Sequence, residues 1–340
     1  MPTSTIPRAA RRVSCAWLAG ALCLVLFAEP AVAAKPAAKL PPLPEPIASF
    51  GAVVADGWLY VYSGHTGEAH AHSKQNLSQK FQRLNLNAAS EWEALPVGPA
   101  LQSPALVAHD GAIYRIGGLT AHNNSGEAEQ LESVRDFARY DVKAKKWTDL
   151  TPLPEGRSSH DAVVVGDKLY VVGGWDLGKE RKWHKTALVY DFAKPEAGWT
   201  KLPEQTFERR AIAVAALDGK VYALGGMTSA NKPSSEVTYF DVAKNAWVEG
   251  PALPATMGMA GFGCGAIAAG GKLYATTMDG SLFCLQPDGS AWDKLGTLEE
   301  PRFLHRLVPA GDDGLLAVGG ASHTMGHLDS IERFSPVEAK

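Results

Sequence analysis

Basic runs, catalytic signatures and cysteines are what this chain lacks. It holds 4 Cys in 340 residues, and Cys15 and Cys23 fall inside its one long apolar stretch. Its 33 basic and 36 acidic residues are scattered, for a net charge of −3, and no Lys/Arg run interrupts them. Nucleic acid and anionic membrane are recognised through such runs, so both partners are disfavoured. There is no Gly-x-Ser-x-Gly elbow, no Walker loop, no dinucleotide fingerprint and no zinc-protease helix, so nothing points to the enzyme classes built on them. Beyond residue 33 no apolar stretch reaches the roughly 20 residues that span a bilayer as a helix.

What the chain does have is repetition. The phrase Leu59-Tyr60-Val61-Tyr62-Ser63-Gly64 returns as Ile113-Tyr114-Arg115-Ile116-Gly117-Gly118, Leu169-Tyr170-Val171-Val172-Gly173-Gly174 and Val221-Tyr222-Ala223-Leu224-Gly225-Gly226. It comes back loosely as Leu273-Tyr274-Ala275-Thr276 and finally as Leu315-Leu316-Ala317-Val318-Gly319-Gly320. The spacing from Tyr60 through Tyr114, Tyr170, Tyr222 and Tyr274 to Leu316 is 54, 56, 52, 52 and 42 residues. A period near 50 built on short apolar strands signals a repeat architecture. Trp92, Trp147, Trp199, Trp247 and Trp292 form a second series. Tyr140-Asp141, Tyr190-Asp191 and Phe240-Asp241 precede three of them, and Leu-Pro pairs such as Leu95-Pro96 and Leu153-Pro154 follow. Each unit reads as four strands. In the third, Ala162–Val165 is a buried inner strand, Gly166-Asp167 a two-residue turn and Lys168–Val172 the second strand. Thr186–Asp191 and Trp199–Leu202 complete it. The repeated Tyr and Trp residues fit packing between sheets better than cofactor sites.

A double Gly after an apolar strand with Tyr, then Tyr-Asp, then Trp resembles the kelch motif over nearly the whole chain. The resemblance implies an all-β, six-bladed kelch-type β-propeller over residues 34–340. The fifth unit departs from it, with Thr277-Met278 in place of Gly-Gly, and the sixth lacks a Trp strand. Lys39-Leu40-Pro41-Pro42-Leu43-Pro44-Glu45 matches Asp149-Leu150-Thr151-Pro152-Leu153-Pro154-Glu155, with Ala37 at the Trp position. The N-terminal segment is therefore expected to supply the last blade's outer strand and to remove an open edge.

Residues 1–33 read as a signal peptide. Arg8, Arg11 and Arg12 precede a 14-residue apolar stretch, Cys15 to Ala28, and an A-x-A cleavage site, Ala31-Val32-Ala33. Cleavage leaves 30 basic and 35 acidic residues, net −5. The expectation is an exported, periplasmic or extracellular monomer with no membrane insertion. Of the remaining cysteines, Cys264 is placed on the inner strand of blade 5 and Cys284 on its third strand. One intervening strand sets them roughly 9–10 Å apart, beyond the ~7 Å reach of a disulfide, so two buried thiols are expected.

On a meander blade, the loop entering strand one and the loop between strands two and three share a face. The loops after the Gly pairs are long, while hairpins on the other face, Asp110-Gly111 and Asp218-Gly219, are minimal. Binding concentrates in long loops on a rigid scaffold. Arg157, Arg209 and Arg302 occupy equivalent entry positions, and His160 and His305 follow two of them by three residues. Arginines converging on the channel mouth suit a carboxylate; alternatively, each caps local carbonyls. Kelch propellers often bind acidic ligands or peptides with arginines here, so the resemblance favours the first reading. Trp175 and Trp183, both off the repeat, could stack on a sugar or anchor a partner, or fold back onto their own blade. His65, His70, His72, His323 and His327 gather where the ring closes. No acidic residue except Glu68 sits at ligand spacing, and no metal or other cofactor is expected.

These features together point to a binding module that holds an acidic glycan or protein segment at the mouth through Arg157, Arg209, Arg302, His160, His305, Trp175 and Trp183. The alternative is a sugar epimerase or mutarotase. The galactose oxidase propeller shares kelch blades, but it needs a Cys-linked Tyr at copper, and both remaining Cys residues fall in one blade. The periplasmic sialic acid mutarotases are a nearer resemblance, through export, size and Met257-Gly258-Met259-Ala260-Gly261. No catalytic residue can be assigned from the sequence.

Overall fold

The computed structural model describes residues 40–88, 91–178, 180–254, 259, 261–311 and 314–335. Residues 1–33, the expected signal peptide, lie outside them. Five four-stranded antiparallel meanders follow one another. Blade 1 is Gly51–Ala55, Trp58–Tyr62, Phe81–Asn85 and Trp92–Leu95; blade 2 is Ala105–His109, Ala112–Ile116, Phe137–Asp141 and Lys146–Asp149. Blade 3 is Asp161–Val165, Lys168–Val172, Leu188–Asp191 and Trp199–Lys201; blade 4 is Ala213–Leu217, Lys220–Leu224, Val237–Asp241 and Ala246–Gly250. Blade 5 is Gly265–Ala269, Lys272–Thr276, Ser281–Leu285 and Trp292–Thr297. Blade 6 shows three strands, Arg306–Pro309, Leu315–Val318 and Ile331–Phe334. Each inner strand packs beside the next, and blade 6 returns to blade 1, as the six-bladed expectation requires.

The turns between the first two strands follow from their residues. Ala55 pairs Trp58, His109 pairs Ala112, Leu217 pairs Lys220 and Ala269 pairs Lys272, each across two residues. In Asp56-Gly57, Asp110-Gly111, Asp218-Gly219 and Gly270-Gly271 both φ angles are positive, which matches the right-handed twist of the flanking strands. Burial is organised between blades. Six hydrophobic clusters fill the interfaces 1/2, 2/3, 3/4, 4/5, 5/6 and 6/1, so no blade owns a complete core.

The repeated Trp residues have a second role beyond packing. Trp147 Nε1 donates to Pro96 O at 2.9 Å, Trp199 Nε1 to Thr151 O at 2.9 Å, Trp247 Nε1 to Pro203 O at 2.9 Å and Trp292 Nε1 to Pro251 O at 2.8 Å. Each indole thus pins the segment leaving the blade before it. Trp92 Nε1 does the same to Pro42 O at 2.7 Å, so the N-terminal segment occupies the corresponding place beside blade 6. Leu43 N also donates to Asp329 O at 2.8 Å and Ile47 N to Leu328 O at 3.0 Å. Ala37 and Lys39, where the outer strand itself was expected, lie outside the described residues.

Cys264 and Cys284 are free. Cys264 is buried just ahead of its strand, and burial pushes its thiol up to about 12. Cys284 is half-buried rather than buried, on the third strand of the blade.

Trp147 packs against Tyr62, Phe81 and Tyr140 at ring distances of 5.6, 5.4 and 5.1 Å. Trp147→Ala is expected to cost about 3–5 kcal/mol in urea unfolding. Trp147→Phe, which keeps a ring and loses the Nε1 bond, should cost clearly less. An Ala variant as stable as the parent would break the assignment of this residue to the blade 1/2 interface.

Candidate functional site

The channel mouth is made of backbone. Ser49, Ser103, Ser159, Ala211, Gly263 and Leu304 stand two residues before their inner strands, one in each blade, all with φ between 51° and 61°. They bond head to tail: Leu304 N donates to Gly263 O, Gly263 N to Ala211 O, Ala211 N to Ser159 O, Ser103 N to Ser49 O and Ser49 N to Leu304 O, at 2.6–3.1 Å. A non-Gly residue in this conformation costs about 1–2 kcal/mol, so the ring holds strain that the surrounding blades enforce.

Two positions before each ring residue is the entry residue: Ile47, Leu101, Arg157, Arg209, Gly261 and, in blade 6, Arg302. The three arginines are 1%, 0% and 1% exposed. Arg157 donates from Nη1 to Gly173 O and Thr186 O and from Nη2 to Thr186 Oγ1, all at 2.9 Å. Arg209 repeats the pattern on Gly225 O, Glu236 O and Thr238 Oγ1, and Arg302 on Gly319 O, Ser330 O and Ser330 Oγ. Each guanidinium therefore ties the end of strand two to the start of strand three in its own blade. This corrects the expectation of arginines converging on the mouth: their Nη donors are spent on hydroxyls and on buried carbonyls, which would otherwise lack partners. Burial lowers Arg157 to about 9 and Arg209 to about 10, still charged at neutral pH.

His160 and His305 do reach the channel, but under the ring. With Arg306 and the ring residues they line a cavity of about 40 Å³, room for water and too small for a sugar. Neither ring nitrogen of His160 makes a well-formed hydrogen bond, and His305 Nε2 meets Thr276 Oγ1 at 2.7 Å. Burial pushes His160 well below its ordinary value and His305 to about 3, so both are neutral. Below them Arg306 Nη1 meets Asp161 Oδ1 at 2.8 Å, while Val214 N donates to Asp161 Oδ2 at 3.0 Å and Arg306 Nε to Phe50 O at 3.0 Å. Blades 3 and 6 are opposite in a six-membered ring, so this ion pair bars the channel. On the hairpin side of the bar, a chamber of about 330 Å³ is walled by all six inner strands.

The long loops carry the exposed chemistry. After the Gly pairs, small hairpins rise from blades 2 and 3, Leu119–Ala121 with Leu131–Ser133 and Trp175–Leu177 with Arg181–Trp183. In blade 4, Met227–Thr228 pairs with the entry strand Arg209–Arg210. Trp175 and Trp183 are register partners, with rings 5.3 Å apart. The Arg210 guanidinium lies 4.3 Å from the Trp175 ring and 5.9 Å from the Trp183 ring, and Arg181 lies 5.0 Å from Trp175. Arg210 Nη2 touches Met227 Sδ at 3.4 Å, while Arg210 Nε and Trp175 Nε1 are buried without a protein acceptor. Neither Arg181 nor Arg210 forms an ion pair among the described residues. Burial, and after it the like charge of Arg181, lowers Arg210. Trp175 and Trp183, which the sequence singled out as off the repeat, are brought together, and the cation beside them is Arg210 rather than its neighbour Arg209. Arg210 was missed because it stands one residue off the repeated Arg column.

The loop histidines of blades 1 and 6 also meet. His65 Nδ1 is 3.3 Å from His327 Nε2, and the His65 and His72 rings are 5.3 Å apart. His65 Nε2 bonds to Ala71 O at 2.9 Å. No group of three or more His, Cys, Asp or Glu that could hold a metal occurs among the described residues.

Five four-stranded blades and one that shows three strands among the described residues, set in a closed ring of six and joined through glycine pairs and Trp residues, define a β-propeller of kelch type. The KLHDC2/KLHL20/DRC7 Kelch-repeats domain model matches residues 103–320, and the chain belongs to the kelch-repeat family. It is 28% identical over 220 residues to Kelch-like protein terF of Aspergillus terreus, covering 63% of this chain and 46% of that one. It is 24% identical over 216 residues to human Kelch repeat and BTB domain-containing protein 12, covering 60% and 34%. The chain therefore matches a third to a half of the length of these relatives. The solved structure of YjhT superposes with a TM-score of 0.68 at 18% identity, over 86% of this chain and 95% of that one.

Two outcomes follow from the buried groups. Arg157→Leu leaves Gly173 O and Thr186 O without a donor, at about 1–3 kcal/mol for each buried group, and should lower the melting temperature far more than Arg181→Leu. An unchanged melting temperature would return Arg157 to the list of ligand contacts. His65 is held at about 4, first by burial, against an ordinary value of 6.5, with His327, His72 and His70 adding like charge once protonated. The unfolded chain takes up this proton at higher pH than the folded one, so the stability that His65 contributes falls as pH drops from 6.5 toward 4. His65→Gln should flatten the melting-temperature curve over that window; an identical slope would contradict the assignment.

Proposed function

We propose that this kelch propeller is an exported binding module whose long-loop face holds an acidic segment of a partner protein. The observation that carries this is the stack of Arg181 and Arg210 on Trp175 and Trp183: two cations with no carboxylate partner among the described residues, backed by flat aromatic area. A guanidinium held against an aromatic ring is pre-oriented, so little freedom is lost when it forks onto a carboxylate. Partial burial strengthens the bond relative to one made in open water. Membership of the kelch-repeat family favours a protein segment over an acidic glycan as the source of the carboxylate. The epimerase alternative is less well supported, because its candidates His160 and His305 sit beneath the ring beside a 40 Å³ space. Met257, Gly258 and Ala260 of its motif fragment lie outside the described residues.

The test uses the mature protein with a synthetic Asp/Glu-rich peptide and an acidic oligosaccharide as probes, followed by Trp fluorescence and calorimetry. Each charge-assisted bond is worth about 1.5–3 kcal/mol, so Arg210→Ala should weaken peptide binding about tenfold or more, with a small change in melting temperature. Adding Arg181→Ala should abolish binding, and Asp218→Ala on the opposite hairpins should leave it intact. Parent-like affinity in the double variant would place the site elsewhere; selective binding of the oligosaccharide would make the ligand a glycan.

A further inference from the structure

The residue just before each ring position is Ala48, Gln102, Ser158, Arg210, Phe262 or Phe303, in blade order. Five of these positions are structurally equivalent by their pairing, and Phe262 stands at the same offset from its ring residue. Ala48 bridges His65, Gln102 bridges Leu119, Ser158 bridges Trp175 and Phe303 bridges Ala321, while Arg210 pairs with Met227, all on the loop that follows the second strand. Three blades in succession thus present Arg, Phe and Phe around one half of the rim, and the other half presents small or polar residues.

The aromatic part extends beyond those two rings. Phe262 and Phe303 are 5.9 Å apart, and Phe303 lies 5.1 Å from His323. His323 Nε2 meets Met278 Sδ at 3.2 Å. Both Phe side chains are half-buried rather than enclosed. Met325, at the tip of the hairpin Ala321–Ser322 with Gly326–His327, is 67% exposed, the most exposed large hydrophobic residue among those described. Blade 5 contributes only the turn Thr277–Gly280 here, where its neighbours carry hairpins or a pairing loop. That turn is closed by Asp279, whose Oδ1 accepts from Thr277 Oγ1 at 2.6 Å and from Ser281 N at 3.1 Å. The departure of Thr277-Met278 from the Gly-Gly pattern therefore coincides with a short turn in the rim, with sulfur and aromatic carbon beside it.

We infer that the partner segment is bipartite: a carboxylate seated on Arg210 and Trp175, and a large apolar side chain laid on Phe262, Phe303 and Met278, within reach of Met325. The inference rests on the acidic-segment reading above and adds a second contact and its direction around the rim. Charge selects one end of the segment and aromatic area the other; neither half alone would fix polarity. Adjoining ring residues are one backbone hydrogen bond apart, about 5 Å between α-carbons. Arg210 to Phe303 spans two such steps, and an extended chain advances about 3.3 Å per residue. The acid and the apolar residue should therefore stand about two to four positions apart.

The probe is a displayed random-peptide library selected on the parent protein and on Arg210→Ala, Phe303→Ser and Phe262→Ser variants, each checked for an unchanged melting curve. The parent should enrich peptides with Asp or Glu and, two to four residues away, Leu, Ile, Met, Phe or Trp. Arg210→Ala should enrich none of these. A folded Phe variant should keep the acid and lose the apolar preference, with parent-selected peptides binding about tenfold more weakly, the fold-change expected for one large apolar contact. Two Phe variants are used so that misfolding of one leaves the other informative; if both misfold, peptides with the apolar residue replaced by Ser, titrated on the parent, give the same readout. Acid selected without any apolar preference, or an apolar preference untouched by the Phe or peptide substitutions, overturns the bipartite reading and leaves the acidic one standing. Apolar residues selected without an acid overturn the acidic reading, and a library that enriches nothing over Arg210→Ala overturns both.

Discussion

One backbone hydrogen bond, repeated from blade to blade, sets most of this structure. The second residue of each Gly-Gly or, in blade 1, Ser-Gly pair donates its N–H to the entry carbonyl of the following blade: Gly64 to Leu101, Gly118 to Arg157, Gly174 to Arg209, Gly226 to Gly261 and, across the closure, Gly320 to Ile47. The chain must turn sharply to make it. Gly117 has φ 55°, and a Cβ there would lie 2.4 Å from Arg157 O, so only glycine fits. Fixing the entry carbonyl in turn places the left-handed ring residue two positions later and the first residue of the inner strand two positions after that. The mouth and the blade spacing follow from a bond that involves no side chain, and so do the positions from which Asp161 and Arg306 reach across the channel.

The entry segment divides labour by alternation. Arg209 and Arg210 are consecutive on a short extended strand, so their side chains leave on opposite sides. One guanidinium is committed to the carbonyls of its own blade and the other lies on the Trp175 ring. The same residue type at adjacent positions therefore serves the scaffold in one case and the solvent-facing surface in the other. Buried arginine suits the scaffold role because its fork meets two carbonyls and a hydroxyl at once, a geometry that lysine cannot reproduce.

The fold was legible because its landmarks recur: six unequal copies of one phrase reveal a period even where one copy lacks its glycines. The site was legible only in part, and for the complementary reason. Recognition residues are those that break the repeat, and a single sequence offers nothing to compare them with except the other blades. Trp175 and Trp183 stood out because no other blade has them. Arg157, Arg209 and Arg302 recur, which suggested convergence at the mouth; recurrence here marks a structural post. Asp161 and Arg306 carried a readable signal that was missed. The first inner-strand residue is Gly51, Ala105, Asp161, Ala213, Gly265 or Arg306, so two opposite charges interrupt a column of small residues three blades apart. Arg210 in the column Ala48, Gln102, Ser158, Arg210, Phe262 and Phe303 could have been found the same way.

The joint between Leu43 and Asp329, reinforced by Trp92 on Pro42, also has a meaning in time. Residues near the start of the chain find their partners almost three hundred positions later. Blades 2 to 5 can assemble against one another as they emerge, each new Trp locking the blade before it. Blade 1 has only one of its two neighbours until the last strands arrive. The segment around Leu43 is thus among the last to be secured, and the entropic cost of closing so long a loop falls in a single late step. A chain built this way stays incomplete along one side until its final blade is present, so its assembly has a defined end rather than a gradual one.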